Sequence, residues 1–116
     1  MPTTWTKIFL RRRESKTVTV TVTDANGDAV DLTGYAIKFR VETPTPITKS
    51  LAEGTITCST PASGVFTVPI LPADTAAASI SGVRAFMWEA VIVSAGSVAT
   101  IVGFGAFEIS EELIPA

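Results

Sequence analysis

The run Lys16-Thr17-Val18-Thr19-Val20-Thr21-Val22-Thr23 alternates apolar and hydroxylated β-branched residues without a break. Side chains branched at Cβ are stiff at χ1 and favour extended backbone, and strict alternation sets the three valines on one face. A helix would scatter them around its circumference. The stretch therefore predicts a half-buried strand, and the rest of the chain must supply a second apolar layer for Val18, Val20 and Val22 to pack on.

The same grammar recurs along the chain. Asp24-Ala25-Asn26-Gly27-Asp28 carries the Asn-Gly pair of a tight hairpin turn, and a short return strand is expected at Ala29-Val30. From Tyr35 to Glu42 the alternation resumes, with Tyr35, Ile37, Phe39 and Val41 on one side and Lys38, Arg40 and Glu42 toward water. Pro44 and Pro46 cannot donate to a ladder, so residues 43–46 read as loop or edge. Further strands are expected at Ile47–Leu51, Thr55–Ser59, Val65–Ile70, Val83–Ser94 and Val98–Ile109. Between Leu71 and Ser79, Asp74 or Thr75 is placed to cap a single helical turn made by the alanines.

Two of these segments carry extra information. Val83–Ser94 is apolar on both faces, which puts it at the centre of a sheet or under a partner. Gly103 and Gly105 interrupt the last strand and signal a bulge or a close backbone approach. Roughly seven to nine short strands, with turns about every eight to twelve residues, describe an all-β, immunoglobulin-like antiparallel β-sandwich with at most one short helical turn.

With 116 residues, 47% hydrophobic and 17% charged, the chain suffices for one domain with a real core. It divides into an N-terminal arm (1–15), the sandwich (16–110) and a C-terminal tail (111–116). The arm precedes any long strand, so deleting residues 1–13 is expected to leave the sandwich folded.

Composition excludes much chemistry. The chain has no histidine, which removes the usual serine triads, zinc sites and imidazole acid–base work together. Its single cysteine, Cys58, cannot form an intrachain disulfide. It reads as a small buried hydrophobe, and the missing disulfide fits assembly in a reducing cytoplasm. Asp24, Asn26 and Asp28 begin like a calcium loop but lack its terminal glutamate, so an Asx-rich turn is the better reading. Gly103-Phe104-Gly105 lies within a strand and opens no phosphate-binding helix. No catalytic, metal or cofactor-binding residue is assigned, and the chain is expected to be no enzyme and to need no cofactor. A net charge of −2 gives no electrostatic case for nucleic acid or an acidic membrane. Neither a signal peptide nor an apolar run of about 20 residues is visible.

What remains are candidate contacts. Trp5, Ile8, Phe9 and Leu10 are apolar residues in the arm with no evident core to enter. Arg11, Arg12 and Arg13 form the sole basic cluster, which reads as a solvated edge or as a salt-sensitive contact with an acidic partner surface. Met87 and Val91 lie on the outer side of the two-faced strand, whereas Trp88 is expected to fill the space between the sheets.

One combination has a family likeness. Val18 to Asp24, then Ala25-Asn26-Gly27-Asp28, Asp31-Leu32-Thr33-Gly34 and Ile37-Lys38-Phe39-Arg40-Val41, resembles the immunoglobulin-like domains of tailed-bacteriophage virion proteins. Among these is the N-terminal domain of baseplate upper proteins. Gly64 to Val68, Leu71-Pro72-Ala73-Asp74, the aromatic strand from Phe86 to Val93, and Gly103 and Phe107 extend the likeness from about Lys16 to Ile109. Asp31-Leu32-Thr33-Gly34 is its most specific element. The resemblance implies a non-catalytic virion structural protein docking on a tail, neck or capsid assembly, with other virion proteins as partners. It also implies multiple symmetric copies assembled in the host cytoplasm, without nucleic acid or membrane. The baseplate proteins continue into a long C-terminal region, whereas Ala116 ends this sequence, which is expected to act as a free-standing module. A host-surface or carbohydrate-binding adhesion module is the alternative. Aromatic residues lying mainly in strands, rather than on loops, count against it.

Overall fold

Alternating burial follows the alternating sequence almost residue for residue. In the computed structural model, which describes residues 6–43, 46–76 and 82–111, seven strands are formed: β1 (Ile8–Arg11), β2 (Lys16–Thr21), β3 (Ala36–Val41), β4 (Ile47–Ser50), β5 (Val65–Ile70), β6 (Val83–Val93) and β7 (Ala99–Ser110). A five-residue helix, α1 (Pro72–Ala76), sits between β5 and β6, and a 3-10 turn at Pro61–Ser63 precedes β5. One sheet has the order β1-β7-β6-β3-β4 and the other pairs β2 with β5. The fold is an all-β, sandwich-like arrangement of two layers.

The core lies between them. Val18 and Val20 of β2 and Phe66, Val68 and Ile70 of β5 are buried together with Ile37, Phe39 and Val41 of β3 and Trp88, Ala90 and Ile92 of β6. Phe107 and Ile109 of β7 complete this layer at 0% exposure. Each fully buried aliphatic or aromatic side chain of this kind contributes about 1.5–3 kcal/mol. Trp88 stacks on Phe39 with ring centroids 5.5 Å apart, as expected of the large inter-sheet aromatic.

The structure corrects several expectations. Ile8–Arg11 is no free arm but an edge strand of the large sheet, in register from Ile8 opposite Phe107 to Arg11 opposite Ser110. That pairing is parallel, so the sandwich is not antiparallel throughout. Ile8 and Leu10 point inward, with Leu10 at 0% exposure. They cannot be docking residues without leaving the core, and the division at residue 15 cuts through the folded unit. The expected strands at Ala29-Val30 and Thr55–Ser59 reduce to single bridges, Thr23 with Ala29 and Thr57 with Thr67. Both flank the two-stranded sheet, where little partner strand is available to extend a ladder.

The last strand behaves as its glycines foretell. β6 and β7 pair in register down to Ala90 opposite Gly103, and then Val91 lies opposite Ile101. Val102 is the extra residue of a β-bulge, and both Val102 and Gly103 are buried. A Cβ on Gly103 would meet the Trp88 ring at 2.7 Å, and one on Gly105 would run into the backbone of Thr6. The two glycines open the space that lets the indole and the N-terminal strand close over β7.

Candidate functional site

The bulge decides which side chains look outward. Strict alternation back from Phe107 and Ile109 would put Ile101 on the inner face with them. The extra residue at Val102 reverses the parity, so Ile101 faces water beside Val91, and Phe104 lies opposite Glu89. With Met87 opposite Ala106 and Val93 opposite Ala99, this makes an apolar stripe along the outer face of the two central strands. Met87 is 53% exposed and Ile101 46%.

Charge borders the stripe along β3. Lys38 lies opposite Val91 and Arg40 opposite Glu89. Arg40 donates from Nε to the Glu42 carboxylate on the same strand. Arg40, Glu42, Met87, Glu89, Ile101 and Phe104 line a shallow depression of about 500 Å³. Two cations, Lys38 and Arg40, and two anions, Glu42 and Glu89, therefore rim an apolar centre with no net charge.

Of the contacts expected from sequence, Phe9, Arg11, Met87 and Val91 lie on the side of the large sheet away from the core. Phe9 is 42% exposed on β1, two strands from Met87. Ile8 and Leu10 are core. Trp5 lies outside the described residues. The arginine cluster is a turn as much as a patch. The Arg11 N–H donates to Glu14 Oε1 at 2.9 Å, and the Arg12 N–H donates to the Ser110 carbonyl at 2.8 Å. The Arg13 N–H donates to Thr75 Oγ1 at 2.7 Å. Arg12 and Arg13 are half-buried, and this turn ties the N-terminal strand to both β7 and α1. Ile101 was missed because its outward placement depends on the bulge, whereas Phe104 faces outward by plain alternation from Phe107 and was not singled out.

The remaining polar groups serve the fold. Asp24 Oδ1 accepts from the Asn26 and Asp28 amides at 2.9 and 3.0 Å, the geometry of an Asx turn. Asp31 accepts from both the amide and the hydroxyl of Thr33, and these bonds hold its carboxyl below the usual range. Leu32, the next residue, is buried, so the Asp-Leu-Thr-Gly element anchors one end of the sandwich. The Cys58 thiol lies 3.5 Å from the Val65 carbonyl, and burial pushes its pKa up, away from the thiolate a nucleophile needs. Among the described residues no three Cys, Asp or Glu side chains converge as metal ligands. No helix there is long and apolar enough to cross a membrane.

No protein-family model matches the chain, and no curated protein is similar to it.

Proposed function

We propose that this protein is a non-catalytic structural module of a tailed-bacteriophage virion, an immunoglobulin-like sandwich that docks within a tail, neck or capsid assembly. The observation that carries the proposal is the outer face of the large sheet. A sheet that covers its core on one side needs only polar residues on the other, yet Met87, Val91, Val93, Ile101 and Phe104 turn outward together. Contiguous apolar side chains rimmed by charge mark a protein contact. The likeness of the Asp31-Leu32-Thr33-Gly34 element and its flanking strands to phage virion domains supports the setting. In such a setting a modest contact repeated around a symmetric assembly gains strength through avidity.

Mass spectrometry of purified particles tests this reading. The protein is expected in a fixed ratio to the major virion proteins, and its absence from washed particles refutes the proposal.

A further inference from the structure

We propose that the free edge of β2 pairs with the same edge of a second copy of this chain, in an antiparallel two-fold contact. This edge lies on the flank of the sandwich, and the inference is independent of the outer face of the large sheet.

The register shows which groups are free. Val22 donates to the Gly64 carbonyl and accepts from the Val30 amide. The ladder with β5 runs on from there through Val20 opposite Phe66 and Val18 opposite Val68. Bonding alternates along an antiparallel strand, so the amides and carbonyls of Thr17, Thr19 and Thr21 turn away from β5. Thr23 continues the row, because its bridge to Ala29 is made by the bonds of Val22 and Asp24 on the other side. Exposed edges are normally blunted. Here β4 carries the inward Lys49, and β5 is met by the Thr57 bridge. β1 carries Lys7 and Arg11, and the Arg11 amide is taken by Glu14. From Thr17 to Thr23 the β2 edge has no charge, proline or bulge. Beneath it lies a groove of about 280 Å³ with Ile8, Val18, Val20, Trp88 and Val102 in its wall, which a neighbouring strand would close from the side.

Charge selects the occupant. The uncharged row is bounded by Lys16 at one end and Asp24 at the other. Lys16 is exposed and Asp24 half-buried, and among the described residues neither has an ion-pair partner. Asp24 Oδ1 receives the turn amides, which leaves its other oxygen for a cation. An antiparallel copy about a two-fold axis at Val20 sets Lys16 opposite the partner's Asp24, twice by symmetry. The same register pairs Thr17 with the partner's Thr23 and Thr19 with the partner's Thr21, so every outward amide and carbonyl of the row finds a mate. Sliding the strands by two residues in either direction breaks up these threonine pairs and parts Lys16 from Asp24. A parallel copy would set Lys16 beside Lys16. A foreign strand would have to repeat this spacing of acid and base around an uncharged run, which β2 already has.

A single pair of strands buries well below the roughly 800 Å² per partner of a standard stable interface, so the contact is weak, with a Kd of about 10–500 μM.

Sedimentation equilibrium and amide exchange by NMR on the purified protein test the pairing. The wild type should dimerise across that concentration range, and the Thr19 and Thr21 amides should exchange more slowly as concentration rises. Thr19→Pro removes an outward N–H and no bond to β5, as Pro69 stands opposite Thr17 without loss to the ladder; it should be monomeric. Lys16→Glu sets carboxylate against carboxylate at both ends and should weaken the dimer about tenfold or more. Wild-type protein that stays monomeric to about 1 mM overturns the inference. So does a dimer that leaves the Thr19 and Thr21 amides unprotected. A dimer undiminished by Lys16→Glu, in a variant that keeps the wild-type circular dichroism and melting temperature, overturns it equally.

Discussion

The indole N–H of Trp88 donates to the backbone carbonyl of Thr6 at 2.9 Å. One side chain thus joins the centre of the large sheet to the segment that enters it last in space and first in sequence. The same ring covers Gly103 and stacks on Phe39. Trp88→Phe removes the hydrogen bond and leaves a space over Gly103. It should cost about 2–3 kcal/mol in chemical denaturation. Hydrogen exchange should accelerate most at the β1 amides, ahead of those in β2 and β5.

Deleting residues 1–13 should abolish cooperative folding. The deletion removes Ile8 and Leu10 from the core, at about 2–5 kcal/mol each when truncated, along with all of β1 and its pairing to β7. The whole chain is worth on the order of 6–17 kcal/mol at typical stability per residue. A sharp thermal transition in the truncated protein would show that β1 is an accessory.

Lys49 points into the sandwich from the edge strand β4, with its side chain 6% exposed, and lies 2.7 Å from Asp74 on α1. Asp74 Oδ2 also accepts from the Leu71 amide at 2.7 Å, so one carboxylate caps the helix and neutralises the lysine. Removing one partner strands the other charge. Lys49→Ala and Asp74→Ala should each cost about 2–3 kcal/mol, and a double-mutant cycle should show coupling of about 1 kcal/mol or more. An inward lysine also blunts an exposed edge. Lys49→Val should therefore raise light scattering during refolding.

The Asp31 turn makes stability depend on acid in a defined direction. Thr33 donates to the ionised carboxylate and lowers its pKa in the fold. The contribution is therefore present above the ordinary unfolded value of about 3.9 and is lost as pH falls through the lower folded value. Asp31→Asn should melt below the wild type at pH 7, and the two should converge as pH falls through the lowered folded value. A difference that persists at pH 2 would mean that the turn does not depend on the charge.

How much of this was legible in the sequence depends on range. Strand identity is local, and Val18, Val20, Ile37 and Phe39 were readable as core from period-two alternation alone. Trp88 was expected between the sheets as the large aromatic of a strand apolar on both faces. The hairpin turn at Asn26-Gly27 and the interruption at Gly103 were equally visible. The role of Ile8 and Leu10 was not, because a four-residue strand becomes recognisable only beside its partner, and β7 lies almost a hundred residues away as a parallel neighbour. One outward residue was hidden for a related reason. Met87 and Val91 follow from the alternation of β6 and Phe104 from that of β7, but Ile101 faces outward only because one residue, Val102, is left over in the pairing. Glycines announced an irregularity without saying which residue would absorb it.

The outer face of the large sheet carries the functional account, and Met87 at its centre gives the most direct test. Met87→Asp changes an exposed side chain without entering the core, so its melting temperature should stay within a few degrees of the wild type. When it is co-expressed in equal amount with the wild type during particle assembly, the ratio of the two in purified particles should be measured by mass spectrometry. At least tenfold depletion of Met87→Asp is expected; equal incorporation of a folded Met87→Asp protein would contradict the assignment of this face as the contact surface.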